Sequence, residues 1–432
     1  MQSFNEQLAR LQDENRRLRL SVEELSILND IATAISSTLS LDKIIDLIVH
    51  KCVKHFNVEQ SAIMLVSPEE DNQPFRTMIR GADRSSNFLP FHLDTQLAGW
   101  ILKHKQPLLS NDIGSDNRFK AVKKDDLTIH SLLSVPLLLK GIIIGFLNLF
   151  NKKGNSDFNQ DDQRLLSIIA AQSAQVIEIA RLHEEELNFL RLQEEMRLAR
   201  QIQINLLPAQ APKIENYDLA GKSIAAQIVG GDYYDFIPVD DSRLALCIGD
   251  VSGKGMPAAL LMSNLQATLR AQTLSGWDPA ECIKRSNHLI FKSTDLDKYA
   301  TLFYCILDFN KHELLYTNAG HDNPLYFKTD GNIHRLQPGG IVVGFLESFD
   351  FTQELISLDV GDTLVLYSDG ITEAMNEGES EFGEDCFIRC LQNHLHLPAA
   401  DMIDKIISDI SKHCGKAAQW DDMTLVVLKR NA

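Results

Sequence analysis

The sequence predicts an α+β protein built from more than one domain. The chain has 432 residues, and a chain of this length usually forms two or three domains. Residues 161–206 contain neither proline nor glycine and keep apolar residues at helical spacing, which predicts one long helix. After residue 208, short apolar runs repeatedly end in turns that carry an aspartate and a glycine, which indicates strands that lead into loops.

Composition narrows the functional classes. The net charge of −17 argues against a nucleic-acid or anionic-membrane surface, which needs clustered Lys and Arg. Seven scattered cysteines without a CxxC pair predict neither a zinc site nor a disulfide framework, and they fit a reducing, cytoplasmic compartment. The polar N-terminus does not resemble a signal peptide, and the most apolar window, 132–150, is interrupted by Pro136 and by Lys140-Gly141. We therefore expect a cytoplasmic protein without a membrane span.

The first 28 residues predict a coiled-coil helix. One seam carries Leu8, Asn15 and Val22, and the other carries leucines at 11, 18 and 25. A single Asn in an apolar seam favours a parallel two-stranded pairing, so we expect a homodimer. The alternative is an amphipathic helix that packs on its own domain.

Residues 29–180 are expected to form one α/β domain. Helical spacing continues into residues 44–48, and the later elements are a strand at 62–66, a helix at 97–104, a short strand at 106–109, and a hairpin of 132–139 with 142–150.

This segment resembles a GAF sensory domain in Gly99-Trp100-Ile101, in residues 107–112 and 134–152, and in Phe158 with Asp161-Asp162. The resemblance implies a small-molecule or protein signal. Asn151, Lys152, Phe158 and Asp162 match four members of the NKFDE pattern of nucleotide-binding GAF domains, and Gln163 replaces the fifth. Such residues also stabilise ligand-free GAF domains, so both interpretations stay open.

Residues 181–208 are predicted to be a helical linker. A second pair of seams runs through Leu182, Phe189 and Met196 and through Leu192, Ala199 and Leu206. At 1.5 Å per residue the helix over 161–206 would be a rod of roughly 70 Å. It would carry twist or register from one domain to the next, or serve as a passive spacer. Pro208 ends it.

Residues 209–432 are predicted to form a second, strand-rich domain. Its centre is residues 244–262, where an apolar strand ends in Gly249-Asp250, a glycine-rich turn follows, and a helix opens with Pro257 in its first turn. Glycines and a helix N-terminus suit a phosphate, but Asp250 beside a phosphate requires an intervening cation. The other elements expected are strands at 222–230, 299–307, 313–318, 325–328, 333–336, 362–367 and 423–428 and helices at 279–292 and 399–412.

Acidic residues recur where these strands begin or end. They are Asp232, Asp250, Asp369 and the pair Asp421-Asp422. Each one alone could be a turn or helix cap, but carboxylates on adjacent strand ends meet in space, and their repulsion requires a cation or raised pKa values. Carboxylates without His or Cys select Mg²⁺ or Mn²⁺, and two such ions that share an Asp hold a water for in-line attack on phosphorus.

The motifs GGDYYDF, GDVSGKGMPAALLM, YATLFYCILD, NAGHDNPL, YSDGITEA and DDMTLVVL occur in this order. In them, and in the entry segment LARQIQINLLP, the chain resembles the SpoIIE-like and RsbU-like bacterial serine phosphatases, a branch of the metal-dependent type 2C protein phosphatases. The resemblance implies an α-β-β-α sandwich with two Mn²⁺ or Mg²⁺ ions. It implies Asp232 and Asp250 as catalytic residues and ligands, Asp250 bridging both ions, and the Val251 carbonyl, Asp369 and Asp421 as further ligands. Asp421 is preferred to Asp422.

Two further residues are candidates for substrate contact. Lys254 lies at the predicted helix start, and His321 lies in the NAGH turn. A solvated lysine and a structural turn histidine are the alternatives. Ser252 stands where animal-type enzymes of the family carry a histidine, which removes the usual general-acid candidate, and Asp322-Asn323 replaces the more usual Asn-Pro.

The sequence thus predicts a protein serine/threonine phosphatase that a GAF domain regulates. By resemblance its substrate is a phosphorylated anti-sigma-factor antagonist of the STAS type. One alternative is a diguanylate-cyclase-like nucleotidyl transferase, because GGDYYDF resembles GGDEF, although Tyr233 and Tyr234 replace the needed Glu-Phe. The other is a catalytically silent signalling scaffold.

Overall fold

The structure is a computed structural model of the chain. It describes residues 40–66, 75–81 as backbone, 99–119 except 101, 129–154, 156–295, 297–337 and 339–431, together with isolated positions before residue 40. The chain divides into two compact units, Met1–Leu190 and Arg191–Ala432. The heptad segment 4–28 lies outside the described residues, apart from single positions.

The first unit is a five-stranded antiparallel sheet in the order β2-β1-β5-β4-β3. Its apolar face packs on helix α1 and the first turns of helix α2, in a core that includes Ile45, Ile63, Leu147 and Leu166. The predicted hairpin is confirmed. The elements in chain order are α1 (Leu41–Phe56), β1 (Val58–Val66), β2 (Phe75–Gly81), β3 (Leu108–Ser110), a 3-10 turn (Asn117–Phe119), β4 (Leu132–Leu139), β5 (Ile142–Lys152) and α2 (Gln160–Leu206).

Helix α2 is 47 residues long, as its uninterrupted helical pattern predicts. The boundary between the two units falls within it. One 18-residue window of α2 has a mean hydropathy of 1.3, which by length and composition would suffice to cross a membrane. However, 44% of that window is buried in the protein, and Leu166, Ile169 and Ala174 belong to the core of the first unit. This part of α2 therefore packs as a core helix of the first unit.

The second unit contains two five-stranded sheets. The first has the order β13-β10-β9-β8-β7, and the second has the order β12-β11-β14-β15-β6. The strands are β6 (Tyr217–Ile224), β7 (Tyr233–Pro238), β8 (Arg243–Val251), β9 (Ala300–Asp308), β10 (Glu313–Ala319), β11 (Leu325–Phe327), β12 (Ile333–Arg335), β13 (Glu354–Ser357), β14 (Thr363–Tyr367) and β15 (Met423–Arg430). The helices are α3 (Met256–Thr273), α4 (Pro279–Ser293), α5 (Asp369–Thr372), α6 (Glu384–His394) and α7 (Ala399–Cys414).

The two sheets face one another across an apolar core that contains Ile248 and Phe303 from one sheet and Leu366 and Val426 from the other. Helices α3 and α4 cover the outer face of the first sheet, and α6 and α7 cover the outer face of the second. The layers are therefore helix, sheet, sheet, helix, because alternate residues of each strand point into different cores. The predicted α-β-β-α sandwich is confirmed.

The strand predicted at 222–230 is confirmed only for residues 222–224. Strand β6 ends at Ile224, where it pairs with Met423, and residues 225–232 form a loop whose backbone N–H groups bind a side chain instead of a neighbouring strand. The apolar residues of this loop imitate a strand pattern.

Helix α6 and strands β7 and β13 are not among the elements predicted from the sequence. Strand β13 has four residues, too few to show an alternating pattern. Helix α6 does carry a helical pattern, because it buries Phe387, Cys390 and Leu391 on one face, and it was overlooked in the sequence.

Candidate active site

Strand pairing brings the predicted acidic residues to one edge of the sandwich. Tyr233 pairs with Gly249, so Asp232, which directly precedes β7, lies next to Asp250 of β8. In the other sheet, Tyr367 pairs with Leu425 at the adjoining ends of β14 and β15. Asp369 follows β14, and Asp421 precedes β15. The sequence places these residues far apart, and the register of two strand pairs brings them together.

The carboxylates carry excess negative charge in a partly dry environment. Burial, followed by the charges of Asp369 and Asp421, raises the pKa of Asp250 to about 7. Burial and the neighbouring Asp250 also raise the pKa of Asp232, which is 4% exposed. Burial and Asp421 raise the pKa of Asp369. Burial and Asp369 raise the pKa of Asp322 to about 6. A cation between these groups would relieve both the repulsion and the desolvation.

Two glycines allow close approach at this edge, Gly231 between the candidate ligands and Gly370 against the backbone. A Cβ on Gly231 would come within 3.1 Å of Asp250 Oδ1 and 3.2 Å of the Val251 carbonyl oxygen. The two oxygens therefore face the same small space, which any larger residue would fill. A Cβ on Gly370 would collide with the backbone of Asp422. The arrangement fits a hard cation that binds Asp250 and the carbonyl of the next residue.

Asp421 and Asp422 have different environments. Asp422 is 6% exposed, and its carboxylate accepts hydrogen bonds from the backbone N–H groups of Ala226 (2.8 Å), Gly231 (2.6 Å) and Asp232 (3.2 Å). It fixes the loop that carries Asp232. The Asp421 side chain is 36% exposed and has an ion pair with Lys254 at 2.8 Å. This difference supports Asp421 rather than Asp422 as the residue available to a metal.

Lys254 and His321 occupy contrasting positions. The Lys254 ammonium lies at the edge of the site, half exposed, and donates to the Trp420 carbonyl at 2.6 Å as well as pairing with Asp421. His321 is buried, and burial lowers its pKa to about 4. Its Nε2 lies 3.0 Å from the Tyr367 carbonyl, which can only accept, so Nε2 donates. Its Nδ1 accepts from the Thr301 hydroxyl at 2.8 Å. Because both ring nitrogens are engaged, the geometry supports the turn role of His321 rather than substrate contact.

Three supporting residues were missed in the sequence. Thr301 is paired with Asp250 in the sheet and accepts from the Asp250 N–H at 3.2 Å. The Ser368 hydroxyl donates to Asp232 Oδ2 at 2.7 Å. Gln203, near the end of α2, is 8% exposed and binds Gly230 twice: its Nε2 donates to the Gly230 carbonyl at 2.6 Å, and its Oε1 accepts from the Gly230 N–H at 3.0 Å. Ser368 adjoins a predicted ligand and could have been noted, but nothing local marks Thr301 or Gln203.

A different cluster satisfies a simple geometric test for a single metal ion. Among the described residues, Cys390, His394 and Asp409 bring three donor atoms within 4.8 Å of one another. Asp409 already accepts from His394 at 3.1 Å and from Lys412 at 2.8 Å, so its charge is compensated. No three of the described carboxylates at the strand ends meet that limit. Carboxylates without a cation between them repel one another and stand further apart. Two ions about 3.5–4 Å apart would also need ligands spread over a larger distance than a single ion needs.

The structure bears on two hypotheses from the sequence: the resemblance to GGDEF and the role of the NKFDE-like residues. Tyr233 and Tyr234 are buried in strand β7, one in each apolar core, so the motif that resembles GGDEF is a strand of the sandwich.

In the first unit, Lys152 forms an ion pair with Asp162 and lies over the Phe158 ring at 5.5 Å. These contacts connect the end of β5 to the start of α2, which supports the stabilising interpretation of the NKFDE-like residues.

Comparison with known proteins identifies both units. The family described as Stage II sporulation protein E (SpoIIE) matches residues 240–431, and the GAF domain family matches residues 38–178. Phosphoserine phosphatase RsbU of Bacillus subtilis (strain 168) is 31% identical over 240 residues, which are 55% of this chain and 71% of RsbU. Phosphoserine phosphatase RsbP of the same organism is 26% identical over 248 residues, and the match covers 55% of this chain and 58% of RsbP.

The solved structures agree on the fold. The SiaA-PP2C domain of Pseudomonas aeruginosa superimposes with a TM-score of 0.50 at 19% identity, and the match covers 56% of this chain and 98% of that domain. This likeness supports the fold of the second unit, while the match to RsbU extends over more than two thirds of that protein. The chain is therefore a member of the SpoIIE- and RsbU-like family of bacterial protein serine phosphatases, with a GAF domain ahead of its PP2C-type domain.

Proposed function

We propose that the chain is a metal-dependent phosphatase that removes phosphate from a serine or threonine of a small STAS-type anti-sigma-factor antagonist, in the cytoplasm. The observation that carries the proposal is the convergence of Asp232, Asp250, Asp369 and Asp421 at one sandwich edge, where burial and mutual repulsion raise the pKa of three of them. The name of RsbU, a phosphoserine phosphatase, supports the reaction type. The substrate class is an expectation from the family.

Each residue of the site has a role in this proposal. Asp250 would bind two Mn²⁺ or Mg²⁺ ions, with Asp232, Asp369, Asp421 and the Val251 carbonyl completing the set. When bound, such ions polarise phosphoryl oxygens and activate water for in-line attack. The chain itself orients the ligands: Ser368 holds Asp232, and Asp422 holds the loop before it.

Lys254 is the residue that we propose meets the substrate phosphate. Its ammonium is half exposed and is held at the edge of the site by Asp421 and by the Trp420 carbonyl. If Asp421 held a metal ion, the Lys254 ammonium would be available to a phosphate dianion. We expect Lys254→Met to raise KM more than it lowers kcat, and an equal loss in both would contradict this role.

We further propose that the GAF domain controls the phosphatase through helix α2 in a homodimer. Large apolar side chains stand exposed along α2, among them Leu182 (52%), Phe189 (59%) and Leu192 (58%), which are seam positions of the predicted coiled coil. At the end of the same helix, Gln203 holds Gly230, two residues before Asp232. A change of twist or register in α2 would therefore move a backbone segment of the active site.

The regulatory proposal is tested by inserting one residue after Glu194. The insertion rotates the remainder of the helix by about 100°. The activity of the full chain is measured with and without a cell extract that supplies the signal. We expect the one-residue insertion to change both activities. An insertion of seven residues, which adds about two turns, should largely restore the activities of the parent protein. If both insertions leave regulation unchanged, α2 is a passive spacer.

The catalytic proposal is tested by phosphate release. The full chain with Mn²⁺ should hydrolyse p-nitrophenyl phosphate and a phosphoserine protein, and chelation with EDTA should stop the reaction. Asp250→Ala should lose activity by at least about a thousandfold, whereas Asp241→Ala, an exposed aspartate of the same unit, should keep it. Full activity of Asp250→Ala would refute the assignment. Formation of cyclic diguanylate from GTP would instead support the nucleotidyl-transferase alternative.

A further inference from the structure

A groove opens directly beside the candidate metal site. Its volume is about 310 Å³, and its walls are the end of helix α7, the loop from Gly415 to Asp421, and the residues that follow helix α5. Lys254, Gly370 and Asp421 line it and also belong to the catalytic edge. A substrate whose phosphate reaches these residues therefore lies next to the groove.

The lining of the groove is mixed, with somewhat more apolar than polar surface. Met375, Ala417 and Met423 lie on its apolar side, Glu373 and Gln419 are among its polar residues, and Trp420 also lines it. The Trp420 side chain is 72% exposed, among the highest values of the described large apolar residues. Exposed tryptophan next to an apolar pocket is typical of surfaces that bind a partner, because an indole buries a large area at low conformational entropy cost.

The Trp420 ring is presented from a fixed backbone. Its carbonyl accepts from Lys254 at 2.6 Å. The preceding residue, Gln419, donates its side-chain amide to the carbonyls of Ile224 (2.9 Å) and Asp421 (2.8 Å). Little backbone ordering is left for binding, which favours affinity. The same contacts connect Trp420 to the candidate ligand Asp421, so the groove and the metal site form one continuous surface.

We propose that this groove, with Trp420 as its anchor, binds the polypeptide next to the phosphorylated residue of the substrate, and that it selects apolar side chains there. The proposal rests on the proposed phosphatase function and adds a specificity determinant to it. A pocket of about 300 Å³ is at the small end of ligand sites, so it accommodates one or two apolar side chains rather than a folded element. Glu373 at its wall disfavours acidic flanks.

The test uses the full chain with Mn²⁺ and two synthetic phosphoserine peptides. One peptide has leucine and phenylalanine at the positions flanking the phosphoserine, and the other has glycine and serine there. We expect the parent protein to have a lower KM for the apolar peptide. Trp420→Ala should raise the KM for the apolar peptide by at least about tenfold more than for the polar peptide. Trp277→Ala, which removes an exposed tryptophan next to α4, should leave both KM values as they are.

Three results would overturn the proposal. Trp420→Ala could lower kcat/KM equally for both peptides, which would mean that it acts only through the position of Asp421. It could leave both values unchanged. It could also alter the oligomeric state measured by light scattering, which would make the groove an interface between copies of the chain.

Failure of the phosphatase function is distinguishable from failure of the groove. If the parent protein releases no phosphate from either peptide or from p-nitrophenyl phosphate, the proposed function is wrong. Fluorescence anisotropy with the same labelled peptides then tests the groove alone. A tenfold weaker binding of the apolar peptide to Trp420→Ala would still support the groove as a peptide site, and equal binding to both proteins would overturn it.

Discussion

Replacing Asp250 by Asn should stabilise the metal-free protein while destroying its activity. The pKa of Asp250 in the folded chain is about 7, against an ordinary value of 3.8, because the carboxyl is buried beside Asp369 and Asp421. A carboxyl with a raised folded pKa favours the folded state at low pH. That stability is lost as pH rises from about 4 to about 7, since the unfolded chain then ionises more easily. Above pH 7 the ionised Asp250 is a net burden on the metal-free fold.

The size of the effect follows from the same values. A difference of about three pKa units corresponds to about 4 kcal/mol as an upper bound, and relaxation toward solvent reduces it to about 2 kcal/mol. For a unit of this size, 2 kcal/mol raises Tm by about 4–8 °C. Asn keeps the shape of Asp without the charge, so the gain should be fully present at pH 8 and smaller at pH 5.

The assay is thermal unfolding in EDTA at pH 5 and pH 8, with Asp241→Asn as the exposed control that makes the same chemical change. Adding Mn²⁺ should stabilise the parent protein and leave Asp250→Asn unaffected. A lower Tm for metal-free Asp250→Asn at pH 8, or a gain that is the same at both pH values, would refute the electrostatic reasoning.

Three other substitutions test the surroundings of the site. Gly231→Ala places a Cβ 3.1 Å from Asp250 Oδ1 and should weaken Mn²⁺ binding by at least about tenfold in calorimetry. Unchanged affinity would show that the space between Gly231 and Asp250 does not hold the ion. Asp422→Ala leaves buried backbone N–H groups unpaired and should lower the free energy of unfolding in urea by about 2–4 kcal/mol, so a loss below about 1 kcal/mol would contradict its bracing role. Gln203→Met should lower kcat severalfold, whereas Gln201→Met at an exposed position of the same helix should not; equal values for both variants would remove α2 from the mechanism.

Local sequence patterns predicted the elements that carry strong signals. The long helix was predictable because 46 residues without Pro or Gly leave few alternatives, and the strands β8, β9 and β14 were predictable because each is apolar and ends at a glycine or acidic turn. The acidic residues were also found in sequence, since each lies where a predicted strand begins or ends.

Other features depend on pairing that the sequence does not display. The choice between Asp421 and Asp422 depends on which side chain points toward the loop 225–232, and that loop itself was mistaken for a strand. Thr301 and Gln203 act through a neighbouring strand and a distant helix, so only the tertiary structure identifies them. The sequence leaves His321 as either a substrate contact or a structural turn residue, and only its burial and two hydrogen bonds in the structure favour the second.

The most direct test of the metal-centred mechanism is a crystal of the full chain grown with Mn²⁺ and measured at the manganese absorption edge. We predict two anomalous peaks among Asp232, Asp250, Asp369 and Asp421, about 3.5–4 Å apart, with Asp250 in contact with both. Anomalous maps without a peak among these four side chains, from crystals of a protein soaked to saturation, would contradict the proposal that they form the catalytic centre.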